Sequence, residues 1–167
     1  MNRRNFTQSA MISGLGLATV PNIFTQLNAV AIHQFNLKYA PHLGMFKHSA
    51  GEDPIDQLNF MADQGFTAFE DNAMNTRPVA LQKKMAATMH KRNLTMGVFV
   101  AYKDFRNPSL ARGNADDRKA FLEEIQASVA VAKRVNAKWM TVVPGTVDLN
   151  LVEDYQTANV IESLKQA

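Results

Sequence analysis

The chain contains no cysteine among its 167 residues. Disulfides and thiolate metal sites are therefore excluded, an absence that suits an oxidising compartment without proving one. No stretch is long and apolar enough to cross a bilayer, so no membrane partner is expected. No glycine-rich phosphate loop and no nucleophile elbow occur. No block of lysines and arginines interleaves with aromatics, so nothing argues for nucleic acid. Acidic residues and lysine are missing altogether from positions 1–31, which sets that segment apart from the remainder.

What is present in those 31 residues has an order. Arg3-Arg4 stands next to Asn5-Phe6, a weakly apolar Gly/Ala-rich run covers Ala10 to Val20, and Ala29-Val30-Ala31 offers a small-x-small cleavage site. A charged start, an apolar middle and a small-residue end describe an export signal, and the arginine pair followed by Phe resembles a twin-arginine signal. The reading is that residues 1–31 address the protein to the periplasm or otherwise out of the cytoplasm, and that residues 32–167 are the working domain. The whole chain carries 18 basic and 15 acidic residues, a formal net charge of +3. Setting aside Arg3 and Arg4 leaves 16 against 15, so the domain has almost no basic excess.

From Phe35 onward, strand-like runs alternate with amphipathic, helix-like runs, the pattern of a parallel sheet covered by helices. The first strand is expected at Phe35–Ala40, ended by Pro41, which has no N–H for a ladder. Asp53-Pro54 reads as a capped helix start with an apolar stripe of Ile55, Leu58, Phe60 and Met61, closed by Gly65. The second strand is Phe66–Glu70. Thr76-Arg77-Pro78 opens a helix whose stripe is Val79, Leu81, Met85 and Met89, terminated by Asn93. The third strand is Thr95–Val100. It leads into an aperiodic connection from Ala101 to Asn114, long enough to suggest a functional loop or lid. Asn114 or Asp116 caps the next helix, with Phe121, Ile125, Val129 and Ala132 on one stripe. The fourth strand is Lys138–Val143, ended by Pro144-Gly145, and a last helix begins near Glu153 with Val160, Ile161 and Leu164 as its apolar positions.

The fold class is thus α/β, with four parallel (β/α) repeats. The strands recur about every 34 residues, so eight units would need about 270, against roughly 250 in a typical (β/α)8 barrel. The four units make either a small open α/β domain or the N-terminal half of such a barrel.

In parallel α/β folds ligands meet the carboxyl ends of the strands, which selects four clusters: Pro41–Gly44, Glu70–Asn72, Ala101–Lys103 and Pro144–Thr146. His42 can polarise a carbonyl, bind a metal or hold a hydroxyl, or serve as a loop histidine bonded to backbone. Glu70 ends an otherwise apolar strand, where a carboxylate is costly unless paired or used; it would orient a hydroxyl or pair with Lys38. Asn72 shares its parity, whereas Asp71 points the other way and suits a turn cap. Lys103, Arg106 and Arg112 decorate the long third connection and would greet an anionic group, although solvated loop charges are the commoner explanation. His33, His48 and His90 look structural or exposed, and no His/Asp/Glu set has a recognisable metal-ligand spacing.

At these strand ends the sequence resembles the hydroxypyruvate isomerase-like proteins of the xylose isomerase-like barrel superfamily. The matching stretches are Ala40-Pro41-His42-Leu43-Gly44-Met45-Phe46, Gly65-Phe66-Thr67-Ala68-Phe69-Glu70-Asp71-Asn72 and Trp139-Met140-Thr141-Val142-Val143-Pro144-Gly145, with Ala111-Arg112-Gly113 in a comparable loop. The resemblance covers about Phe35 to Ala167. It implies a (β/α)8 barrel that isomerises or epimerises a small hydroxy-carbonyl compound. Two glutamates exchange the proton, and a divalent metal holds the adjacent oxygens. Those glutamates and metal ligands follow strands five to eight in the family, beyond Ala167, so the catalytic residues are not assigned here and no metal ligand is. What carries over is a substrate-binding wall of His42, Glu70, Asn72 and Arg112. An export signal departs from the cytoplasmic isomerases of the family. Three readings remain open: an exported isomerase-like barrel seen as its first half and inactive alone, a non-catalytic barrel relative that binds a sugar or acid, and a stand-alone half-barrel that pairs with a second copy.

Overall fold

Asp53 begins the first long helix as its composition predicts: its carboxylate accepts from the Ile55 amide at 2.7 Å, and Pro54 follows at the first helical position. The computed structural model describes residues 35–167; the export-signal reading of residues 1–31 lies outside them. In chain order the elements are α1 (Lys47–Ala50), α2 (Pro54–Asp63), β1 (Ala68–Phe69), a 3-10 turn at Met74–Thr76, and α3 (Val79–Arg92). They continue with β2 (Thr95–Met96), β3 (Val98–Asp104), α4 (Ala115–Val135), β4 (Trp139–Pro144) and α5 (Glu153–Gln166). The chain is mixed α/β, and its strands pair in parallel.

β1 pairs with β2, placing Ala68 opposite Thr95 and Phe69 opposite Met96. β3 pairs with β4, from Val98 opposite Trp139 to Asp104 opposite Pro144, with an irregularity between Val100 and Tyr102. Gly97 separates β2 from β3, and its amide donates to the Phe69 carbonyl at 2.8 Å. On the far side of β1, His42 forms a single parallel bridge with Glu70. The strands thus form two two-stranded parallel sheets, β1 with β2 and β3 with β4, with only Gly97 between β2 and β3.

One face of these strands carries the helices. Phe69, Met96 and Phe99 are buried against Leu58 and Met61 of α2, Met85 and Met89 of α3, and Val131 and Val135 of α4. Each such side chain removed from water contributes about 2 kcal/mol. A second cluster joins Ala101, Tyr102 and Leu110 to Phe121 and Ile125 of α4. The residues in register on the other face are far less covered: Val98 and Val100 are half-buried, Thr141 is exposed, and Trp139 is 72% exposed.

Several sequence expectations are corrected. Phe35–Ala40 is not a strand. Pairing starts at Pro41, where it was expected to stop, because proline lacks only the donor. Its carbonyl faces β1 and accepts from the Glu70 amide at 2.9 Å, and Leu43 then donates to the Glu70 carbonyl at 2.8 Å. The loop between His42 and Asp53 contains α1, a single turn that the sequence reading omitted. The third strand runs four residues further than expected, through Asp104, because β4 continues to pair with it. On α4 the covered stripe is Phe121, Ile125, Ser128, Val131 and Val135, while Val129 is exposed; over 21 residues the 3.6-residue period carries the buried stripe away from a simple count of fours. Val79, Ile161 and Leu164, expected to be core, are exposed as well.

Candidate functional site

The bridge between His42 and Glu70 sets the geometry of the site. Glu70 is hydrogen-bonded to the residues on both sides of His42, so the two are in-register parallel neighbours whose side chains leave the same face. Phe69, next to Glu70, points the opposite way into the helix-covered core. The absence of a side chain at Gly97 makes room for the Glu70 stem: a Cβ there would lie 3.2 Å from Glu70 Cγ and 3.1 Å from the Phe69 carbonyl oxygen.

Glu70 is half-buried, and its carboxylate has no ion-pair or hydrogen-bond partner among the described residues. Pairing with Lys38, one of its two expected roles, does not occur; Lys38 is exposed. The His42 ring lies across the top of the bridge. Its Nδ1 is 2.7 Å from the Leu43 carbonyl oxygen, and its Nε2 accepts from the Asn72 amide at 3.4 Å. The Asn72 amide thus ties the His42 ring to the turn that follows Glu70, and its side chain is exposed at the same turn.

Asp71 is 1% exposed. Its Oδ1 accepts from the Ala73 amide at 3.2 Å, the turn cap its parity suggested. It also receives a two-pronged contact from Arg77, through Nε to Oδ2 and through Nη2 to Oδ1 at 3.0 Å. The sequence reading missed this ion pair. Six residues is not a helical spacing, and only the 3-10 turn between them brings the guanidinium back. Gln82 extends the network from α3. Its amide nitrogen donates to the Met74 carbonyl at 3.0 Å and the Arg77 carbonyl at 2.9 Å, and its oxygen accepts from Arg134 of α4.

Arg112 belongs to a different cluster. Its Nε donates to Asp148 at 2.7 Å, tying the connection after β3 to the connection after β4. The Arg112 hydrogen bond, followed by the Asn150 amide, holds the Asp148 carboxyl below its usual pKa. Asp104, at the end of β3, is lowered by the Arg106 and then the Asn107 backbone amides. The expected lid is shortened by the longer β3 and is fastened down. Thr146 donates to the Asn107 carbonyl at 2.9 Å, Leu110 to the Pro144 carbonyl at 3.2 Å, and Asn159 to the Ala111 carbonyl at 2.9 Å. Tyr102 donates to Ser109 at 3.0 Å beneath it. An open cleft of about 560 Å³ lies beside this cluster, lined in part by Pro144, Thr146, Asp148, Gln156 and Ile161. Lys103 and Arg106 are exposed in the same region.

Among the described residues no group of three or more histidines and carboxylates is placed to hold a metal. The donors at the mouth do not fit one by themselves: His42 has both ring nitrogens engaged with backbone, which leaves the Glu70 carboxylate as the free ligand. What the arrangement offers is the Glu70 carboxylate beside His42 Nε2, whose long contact with the Asn72 amide a ligand donor would have to replace, on one face at the carboxyl end of adjacent parallel segments. No family model and no curated protein matches the chain.

Proposed function

We propose that this chain supplies the first four units of a (β/α)8 barrel of the xylose isomerase-like kind, hydroxypyruvate isomerase-like in its pocket wall. In the completed barrel a small hydroxy-carbonyl compound is isomerised or epimerised by proton transfer. His42 and Glu70 form part of the wall and accept hydrogen bonds from the substrate's hydroxyls, with Asn72 beside them. The residues that exchange the proton, and any divalent metal, are contributed by the other half. The protein works outside the cytoplasm, in keeping with the arginine pair and small-residue site of its first 31 residues.

The observation that carries this reading is the shared face of His42 and Glu70 at the carboxyl ends of neighbouring parallel segments. That is where a barrel of this kind holds its substrate. The parallel pairing of β1 with β2 and of β3 with β4, and the lightly covered face opposite the helices, favour a barrel wall over a doubly wound sheet. The test is an isomerisation assay with hydroxypyruvate and Mg²⁺ or Mn²⁺. The 167-residue chain should give no turnover, and a polypeptide that continues it through four further units should. Turnover by the short chain alone would overturn the reading.

A second reading is favoured by one observation, the exposure of Trp139 on β4, of Val152 at the N-cap of α5, and of Tyr155, Ile161 and Leu164 on α5. Apolar surface on an edge strand and its helix invites a partner, and two copies of a four-unit wall would close an eight-stranded ring. Light scattering after size exclusion separates the readings. A cooperatively melting dimer supports self-pairing, and a monomer or polydisperse aggregate supports an incomplete barrel.

A further inference from the structure

We infer that the Asp71–Arg77 ion pair is a positioning device for His42, selecting the ring tautomer with its hydrogen on Nδ1 and the Nε2 lone pair directed at the Asn72 amide at the mouth. The inference deepens the proposed pocket and names how one of its acceptors is prepared. It starts from the partners of the ring. The Leu43 carbonyl, 2.7 Å from Nδ1, can only accept, so Nδ1 carries the hydrogen. The Asn72 amide, 3.4 Å from Nε2, can only donate, so Nε2 carries the lone pair. A single neutral tautomer satisfies both contacts, and it is the one that free histidine disfavours. Protonating Nε2 would set two N–H groups against each other.

The Asn72 amide points at the ring because the turn that carries it is anchored beneath. Asp71, the preceding residue, is fully buried, and a lone carboxylate there would be costly. Arg77 pairs with both of its oxygens, and the Asp71 carbonyl accepts from the Met74 amide at 3.1 Å. Gln82 fixes the two carbonyls of Met74 and Arg77 from the far side. Asn72 is thus held between the bridge at Glu70 and a clamped turn. The Asn72 contact to Nε2 is the longer of the two ring bonds, and it is the one a ligand hydroxyl would replace.

The experiment is long-range ¹H–¹⁵N correlation on the 167-residue chain with labelled histidine, above neutral pH and without substrate. The wild-type His42 signal should report the Nδ1–H form alone. Arg77→Lys keeps the charge but not the two-pronged contact, and it should give a mixture of tautomers while the backbone amide spectrum stays dispersed. Asn72→Pro, which replaces the donated N–H with a ring carbon and fixes φ at an exposed turn residue, should do the same and serves if Arg77→Lys fails to fold. An Nε2–H ring in the wild type, or an unchanged Nδ1–H ring in a folded variant of either kind, would overturn the inference. Because no substrate enters, its failure is distinct from a failure of the isomerisation assay.

Discussion

The two loop clusters at the carboxyl ends of the strands differ in how their polar groups are used. Around β3 and β4, side chains and backbone are bonded to one another: Arg112 to Asp148, Tyr102 to Ser109, Asp104 to the amides of Arg106 and Asn107. Around β1, the buried residues are equally well bonded, but the Glu70 carboxylate has no partner among the described residues and His42 Nε2 has only a long contact. The first cluster is built to hold two connections together. The second is a rigid turn that presents one unfilled acceptor, the Glu70 carboxylate, beside a weakly held one, His42 Nε2. Charge in a loop is therefore a poor guide to ligand binding, since Arg112, one of the cations expected to greet an anionic group, is engaged with Asp148.

The sharpest way to break this contrast is Arg77→Ala. It strands Asp71 in the core and should lower stability by about 3 kcal/mol, read from urea unfolding; a loss below about 1 kcal/mol would mean the turn at β1 is not clamped. Gly145→Ala should come next. Gly145 has φ +107°, and a Cβ there would sit 2.4 Å from the Asn107 carbonyl oxygen, against backbone that cannot swing away. A loss of at least about 1 kcal/mol is expected, with the damage confined by amide exchange to the two connections it joins.

Acid should act on the β3–β4 cluster with a smaller effect. Asp104 and Asp148 have folded-state pKa values below the ordinary 3.8. Their contribution is complete above that value and fades as the pH falls through the lower folded ones. Amide exchange in residues 105–114 and 145–150 should therefore rise below roughly pH 4, and an unchanged pattern would remove the carboxylates from the account. Glu70→Gln should change least. With no partner to lose, it should leave stability within about 0.5 kcal/mol of the parent; a marked loss would reveal a structural bond and count against a ligand role.

Local rules read the helices well because their causes are local. Asp53-Pro54 and Asn114 cap where expected, the latter accepting from the Asp116 and Asp117 amides, and Asn93 takes the left-handed conformation that ends α3. The alternation of strand and helix was equally readable. The first strand was misplaced because the effect of Pro41 depends on which of its groups faces a neighbour, and neighbours are not written in a local window. The length of β3 was missed for the same reason, since β4 decides it from 40 residues away in the sequence.

By itself, then, the sequence determined the ends of the long helices and the strand-helix rhythm. Both follow from contacts within a few residues, where capping, periodicity and glycine conformation act. Only the tertiary structure decided which polar groups are left over. Asp71 and Arg77 meet across a 3-10 turn, Arg112 meets Asp148 across two connections, and Glu70 meets no partner among the described residues. Whether a charge is engaged or free is a property of what folding brings beside it, and that property chooses the site.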